Sequence, residues 1–166
     1  MSNAQRFTTE YIDHEDRIRL TYQTQDGSNH AAWLTQRFLD RVVPHAVKWL
    51  EKSTQPLPRG EALQSFAQDV AVSKLPVQPA VQAEETVQPW VAYSVNLKFE
   101  DTAVHLALKS RDEKFLTELH MNSEQLRQWL NIIQKQYVRA GWGMTSWPEW
   151  LVEREKVSPQ QPNMLH

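Results

Sequence analysis

Two histidines on neighbouring predicted strands are the residues of this chain that come closest to a chemical site. If the turns between the strands are tight, His105 lies opposite His120 and Lys98 lies opposite His105, on the face away from the apolar row. With Glu118 nearby, the pair has the donors of a two-histidine, one-carboxylate metal site. Lys98 adds positive charge to that row, so the sequence favours a solvated polar face, and we expect no bound metal or cofactor.

Other recognisable catalytic patterns are missing from the sequence. The chain has no cysteine, which excludes disulfides, thiolate metal sites and thiol catalysis. Its four glycines form neither a serine-hydrolase elbow nor a phosphate-binding loop. The sequence therefore favours a protein without catalytic activity. A metal-dependent or acid/base enzyme that uses the histidine pair is the alternative.

The segment 141–151 concentrates three of the seven tryptophans, Trp142, Trp147 and Trp150. Ser146 has the spacing of a capping box with the glutamate three residues later, which predicts a short helix to about residue 156. One interpretation is a flap that closes the protein's own core, since clustered tryptophans are usually buried. A second is an exposed anchor for a protein partner or for a second copy of the chain, and a third is a platform for carbohydrate or another ligand.

Composition limits the classes of partner. The chain has 18 basic and 20 acidic side chains, a net charge of −2, so no global positive field attracts nucleic acid. Its apolar runs are too short to span a membrane, and the N-terminal segment lacks the apolar centre of a secretory signal. We therefore expect a cytoplasmic protein whose partner is another protein or itself, with no nucleic acid and no membrane.

The first half of the chain predicts a hairpin followed by a helix. Polar and apolar residues alternate along 17–24, and Asp26-Gly27 then supplies a two-residue turn signal. That turn places Leu20 opposite Trp33, so both strands would bury the same side.

An amphipathic helix over roughly 36–52 follows, with Thr35 as its N-cap and a bend or restart expected at Pro44. Basic side chains on its solvent side alternate with acidic ones, which is typical of a mixed charged surface. The basic members are Arg37, Arg41 and Lys48, and the acidic ones are Asp40 and Glu51.

The middle of the chain predicts a short helix over about 61–74 and then a proline-rich linker. The helix would bury a narrow apolar stripe that contains Leu63, Phe66 and Val70. The linker prolines disfavour regular hydrogen bonding, so we expect an extended or mobile segment.

The second half repeats the pattern of the first. Three strands alternate over 91–121 and pair Leu97 with Leu106 and Leu106 with Leu119. Asn122 then caps a helix that ends near Gly141. The likeness lies in pattern rather than in residue identity, so an internal duplication is a hypothesis.

These features together predict an α+β domain of about five antiparallel strands, a hairpin plus a three-stranded meander, packed on one face by two main amphipathic helices. The expected function is a small non-catalytic accessory or protein-interaction domain of unknown pathway. A structural homodimer is a further alternative. The predicted segments are an N-terminal arm over 1–16, in which residues 2–4 resemble a tag remnant, a ββα half over 17–52, the short helix and linker over 53–89, a βββα half over 90–140, the Trp-rich closing segment over 141–156 and a disordered tail over 157–166.

Overall fold

The protein is an α+β domain in a computed structural model that describes residues 2–4, 6–54, 58–76, 79–82 and 87–152. The fold class is therefore confirmed, while the number of strands and their arrangement differ from the prediction. In chain order the strands and helices are β1 (Ser2–Asn3), β2 (Arg6–Ile12), β3 (Arg17–Gln23), β4 (Asn29–Leu34), α1 (Gln36–Glu51), α2 (Gly60–Ser73), β5 (Trp90–Val91), β6 (Ser94–Phe99), β7 (Ala103–Lys109), β8 (Leu116–Asn122) and α3 (Ser123–Ala140).

The strands form two four-stranded sheets whose terminal strands follow one another in the chain. Sheet I has the order β2-β3-β4-β5, and sheet II has the order β1-β8-β7-β6. Since β1 runs on into β2 and β5 into β6, each of these segments leaves one sheet and enters the other. The pairs β1–β8 and β4–β5 are parallel, and all other described pairs are antiparallel. The predicted hairpin and meander are thus joined at two crossings, while β2 and β6 remain terminal strands of their sheets.

The two halves of the chain have the same topology. Each half contributes a segment that changes sheets, two further strands and a long helix, in that order. Ala4 N–H donates to the Glu118 carbonyl at 3.1 Å, and Ala92 N–H donates to the Trp33 carbonyl at 3.0 Å, so the two crossings are joined in the same way. This pseudo-twofold order agrees with the duplication hypothesis at the level of topology. The segment expected to be an arm instead supplies β1 and β2.

The register of the first hairpin is shifted by one residue from the prediction. Leu20 pairs with Ala32 rather than with Trp33, because the hairpin loop has five residues, 24–28, instead of the predicted two. Asp26 explains the longer loop, since its carboxylate accepts hydrogen bonds from the Thr24 hydroxyl and the backbone N–H that follows Gly27. A shift of one residue moves a side chain to the other face of a strand. Trp33 therefore lies on the outer face of sheet I.

The register of the second half is confirmed. Leu97 pairs with Leu106 and Leu106 with Leu119, as the alternation predicts. Asn122 and Gln125 form the predicted capping box, and Gly141 ends α3 with a φ of 70° in the left-handed region.

The first helix has its predicted cap and bounds. The Thr35 side chain accepts a hydrogen bond from Phe38 N–H at 3.1 Å. The helix continues through Pro44 instead of restarting there. Its apolar side chains join those of β3, β4, β7, β8 and α3 in one core.

The second helix packs with its polar side inward, so the predicted apolar stripe is wrong. Leu63 and Phe66 are 44% and 69% exposed, whereas Gln64 and Gln68 are buried. Gln64 donates to the Leu50 carbonyl and Gln68 donates to the Arg127 carbonyl, each at 2.8 Å. Hydrogen bonding to buried carbonyls therefore decides which side of this helix faces the protein.

The described part of the linker lies against the outer face of sheet I. Val81 N–H donates to Thr8 Oγ1 at 2.8 Å, and Arg6 donates to the Pro79 carbonyl at 2.6 Å. Val81 itself is buried. The linker is thus docked over 79–82. No helix in the described ranges has the length and apolar character that crossing a membrane requires.

Candidate functional site

The predicted polar row on sheet II exists, but each histidine has its own carboxylate. His105 and His120 pair across β7 and β8 with ring centroids 4.1 Å apart, and Lys98 lies opposite His105. The nearest carboxylate oxygen to His105 Nε2 belongs to Glu100 at 3.5 Å, and that to His120 Nε2 belongs to Glu118 at 3.2 Å. Across the described residues, no three His, Asp or Glu side chains are grouped so as to hold a metal ion.

The three tryptophans of the C-terminal segment are held mainly by the protein's own residues. Trp147 and Trp150 are buried in the core, and Trp142 is half-buried against it. The indole N–H of Trp150 donates to Glu51 at 3.2 Å, and that of Trp142 donates to Asp16 at 3.1 Å. Of the interpretations of this segment, the buried flap is therefore the one observed.

The flap lacks the predicted helix in its described part. Residues 144–152 form turns, in which the Pro148 carbonyl accepts from Leu151 N–H and Val152 N–H. Residues 153–156 of the predicted helix lie outside the described ranges. A proline inside the first turn is compatible with helix formation, but the burial of Trp147 and Trp150 determines this path.

A buried tyrosine fastens the flap to both long helices. Tyr137 of α3 is fully buried, and its hydroxyl donates to Asp40 of α1 at 2.7 Å. Its ring meets those of Trp142 and Trp147 edge-on at 5.1 and 5.2 Å between centroids. Burial, and then the neighbouring Asp40 carboxylate, raise the pKa of Tyr137 above its ordinary range. This group is therefore a neutral structural donor.

The outward backbone groups of β6 are the feature that distinguishes this surface. Glu100 N–H donates to the Ala103 carbonyl at 2.8 Å, which fixes the phase of the β6–β7 ladder. Because hydrogen-bonded pairs alternate along antiparallel strands, the N–H and C=O groups of Val95, Leu97 and Phe99 point away from β7. We call these groups the β6 edge. In the part of the chain that the structure describes, they have no hydrogen-bond partner.

The equivalent edge in the other half of the molecule is partly covered by a helix. Tyr11 N–H on β2 donates to the Gln136 side chain of α3 at 2.9 Å, and the side-chain hydroxyl oxygen of Thr9 accepts from the indole of Trp129 at 3.0 Å. Helix α3 thus lies along β2 and satisfies one outward backbone group of that strand, the Tyr11 N–H.

The residue of α1 that corresponds to Gln136 of α3 is Trp49, whose side chain offers no hydrogen-bond acceptor to β6. Trp49 follows the α1 N-cap Thr35 by the same number of residues as Gln136 follows the α3 N-cap Asn122. Trp49 stacks on Phe99 of β6, with ring centroids 6.0 Å apart, and leaves the backbone beside it open. The pseudo-twofold symmetry is therefore broken at β6.

Apolar surface and hollows lie at both ends of the β6 edge. At one end, a hollow of about 570 Å³ includes Trp49 and Phe99 in its lining. At the other end, a hollow of about 680 Å³ includes Tyr93 and Phe115, which are 62% and 50% exposed. The strand between them bends at its start, because Tyr93 N–H donates to the Lys109 carbonyl although Lys109 pairs with the following residue, as in a β-bulge.

No protein-family model, no curated protein and no solved structure matches this chain. The geometry of the site is therefore the basis for any functional conclusion. The sequence predicts β6 correctly as a strand, but not its position at the edge of a sheet. One signal was available in the sequence, since aligning the two predicted helix caps sets Trp49 against Gln136.

Proposed function

We propose that this protein is a small non-catalytic interaction module that binds an extended segment of another protein along the β6 edge. The observation that carries the proposal is the row of unpartnered outward groups on β6; on the equivalent strand β2, by contrast, α3 covers the Tyr11 N–H. Free strand edges favour pairing with another chain, and most proteins block them. Binding of this kind uses backbone hydrogen bonds for affinity and side-chain contacts for specificity.

The side chains of β6 support the same proposal. Val95 and Leu97 are half-buried and Phe99 is 38% exposed, all on the apolar row of the strand. The backbone of an added strand would lie beside that row and Trp49, and it would shield apolar surface that β6 leaves in contact with solvent. The hollows at the two ends provide space for side chains of the bound segment.

The non-catalytic part of the proposal rests on the candidate residues themselves. The chain has no cysteine, and His105 and His120 each lie beside a separate glutamate. The absence of cysteine also supports a reducing compartment, which makes the cytoplasm the proposed location.

A peptide-display selection tests the proposal and does not require an identified partner. Peptides would be selected on the wild-type protein and counter-selected on a Leu97→Pro variant. Proline removes an outward N–H at this position and no bond to β7, so the variant should fold and lose affinity for strand-forming peptides. Enrichment of extended peptides that discriminate between the two proteins is expected. Selection of peptides that bind both proteins equally would contradict the proposal.

A second test leaves the protein unchanged. A selected peptide is synthesised with N-methyl groups on either of its two alternating sets of backbone nitrogens. Strand addition requires one set to abolish binding and the other to preserve it, because only alternate N–H groups face the neighbouring strand. Equal effects of the two sets would contradict strand addition even if Leu97→Pro failed to fold.

A further inference from the structure

We infer that the segment bound at the β6 edge is acidic, with carboxylates at alternate positions that face α1. This inference rests on the proposed function and specifies the chemistry of the partner. Its basis is a row of basic side chains on the exposed side of α1, next to β6. We call it the basic row, and it consists of Arg37, Arg41, Lys48 and Lys52.

The contact between Trp49 and Phe99 identifies the side of α1 that borders β6. Residues three or four positions apart on a helix lie on the same side, so Lys52 and His45 are the nearest neighbours of Trp49 on that border. Arg41 lies one turn beyond His45. All three side chains are exposed. Lys52 also lines the hollow that contains Trp49 and Phe99.

The acidic residues of α1 do not neutralise the basic row. Asp40 accepts hydrogen bonds from Tyr137 and Ser146, and Glu51 accepts one from Trp150, so both are engaged at the flap. Among the described residues, no carboxylate lies within 4.0 Å of a basic nitrogen of the basic row. The mixed charged surface expected from the sequence is therefore divided into a basic side and an acidic side.

An added strand would bring every second side chain onto the face of sheet II that α1 covers. Side chains alternate between the two faces of a strand, and those of Val95, Leu97 and Phe99 belong to the apolar row that α1 covers. The corresponding side chains of the added strand would lie beside the basic row. Carboxylates at those positions gain attraction to several cations, and lysines there would be repelled.

A second copy of the chain is a poorer occupant of the same edge. Antiparallel pairing of two β6 strands about a twofold axis puts both α1 helices on the same face of the joined sheet. The two basic rows would then approach each other across the axis, and like charges at close range oppose association.

Nucleic acid is also a poorer occupant. The β6 edge presents both N–H donors and carbonyl acceptors, and a peptide backbone supplies the complement of both. A phosphate backbone supplies acceptors only, which leaves the carbonyls of the edge unmatched. The chain as a whole also has a net charge of −2.

Defined peptides test the inference. The probes are three labelled nine-residue peptides, read by fluorescence anisotropy. One has glutamate at every second position with threonine or valine between, one has the same composition with its glutamates in a block, and one has lysine in place of glutamate. The alternating acidic peptide is expected to bind at least tenfold more tightly than either of the others, and less tightly as salt rises.

Charge reversal in the protein locates the contact. The variant Arg41→Glu with Lys48→Glu should weaken the alternating peptide about tenfold, since each reversal replaces attraction by repulsion. The matched control, Arg59→Glu with Arg139→Glu, makes the same change in net charge at exposed side chains outside the basic row and should alter affinity less than about twofold.

Different failures separate the two proposals. Equal binding of the acidic and lysine peptides, or equal effects of the two double variants, would overturn the acidic partner but leave strand addition standing. Equal effects of the two N-methylated peptide sets would overturn both. Displacement of the peptide by a single-stranded oligonucleotide at lower concentration, or a dimer in sedimentation that Leu97→Pro abolishes, would also overturn the inference.

Discussion

Replacing Tyr137 by phenylalanine removes one hydroxyl from the junction of α1, α3 and the flap. The hydroxyl is fully buried and donates to the Asp40 carboxylate at 2.7 Å. Loss of a hydrogen bond to a charged group costs about 1.5–3 kcal/mol. The ring and its contacts with Trp142 and Trp147 remain, so no large cavity contributes. In a chain of this size the loss corresponds to a decrease in Tm of about 3–12 °C.

Urea unfolding followed by tryptophan fluorescence measures this cost, and a double-mutant cycle assigns it to the hydrogen bond. Asp40→Ala in the Tyr137→Phe background should cost less than in the wild-type background, because the interaction is already lost. A cost below about 0.5 kcal/mol for Tyr137→Phe, or strictly additive effects, would refute this account of the junction.

Four further predictions concern α2, the loop of the first hairpin and the C-terminal flap. Phe66→Ala should change the free energy of unfolding by less than about 0.5 kcal/mol because Phe66 is largely exposed. Gln64→Ala should cost about 1.5–3 kcal/mol, because it removes the buried side-chain oxygen that accepts a hydrogen bond from Arg127. Equal costs for Phe66→Ala and Gln64→Ala would contradict the inward polar side of α2. Hydrogen bonds from the Thr24 hydroxyl and the Ser28 backbone N–H lower the pKa of Asp26 to about 2. The contribution of Asp26 to stability is therefore present above pH 4 and lost as pH falls towards 2. A carboxyl NMR titration of Asp26 with a midpoint near 4 would contradict these bonds. Trp150→Ala should cost about 3–5 kcal/mol in thermal or chemical unfolding, whereas an exposed anchor would lose almost nothing.

The register of a hairpin was predictable where the turn itself is short. Asp101 and Thr102 are the residues between Glu100 and Ala103, so alternation along β6 and β7 has one consistent pairing. The Asp26-Gly27 signal failed because the carboxylate of Asp26 is used inside the loop, which lengthens it and shifts the partner strand by one residue. The alternation of polar and apolar residues therefore does not predict the register of a hairpin whose loop is shaped by side-chain hydrogen bonds.

The helices were predictable as elements but not always in orientation. Helical periodicity located α2 within one residue, whereas its buried side depends on the Leu50 carbonyl and the buried Arg127, which belong to other elements. The two-residue strands β1 and β5 are too short to produce a periodic signal.

The histidine row and the candidate edge differ in how far the sequence could predict them. Pairing across β7 followed from alternation, so the positions of His105 and His120 were predicted correctly. Whether a strand lies at the edge of a sheet depends on which distant segments pair with it, and no local pattern encodes that. The β6 edge therefore became visible only through the comparison of β6 with β2 in the folded protein.

Amide hydrogen exchange along β6 tests the central claim most directly. In the free protein, Leu97 and Phe99 should exchange rapidly, while Asn96 and Lys98, whose N–H groups face β7, and Tyr11, whose N–H is bonded to α3, should be protected. Addition of the alternating acidic peptide should slow exchange at Leu97 and leave Tyr11 unchanged. Protection of Leu97 in the free protein, or unchanged exchange at Leu97 with the peptide bound, would contradict strand addition at β6.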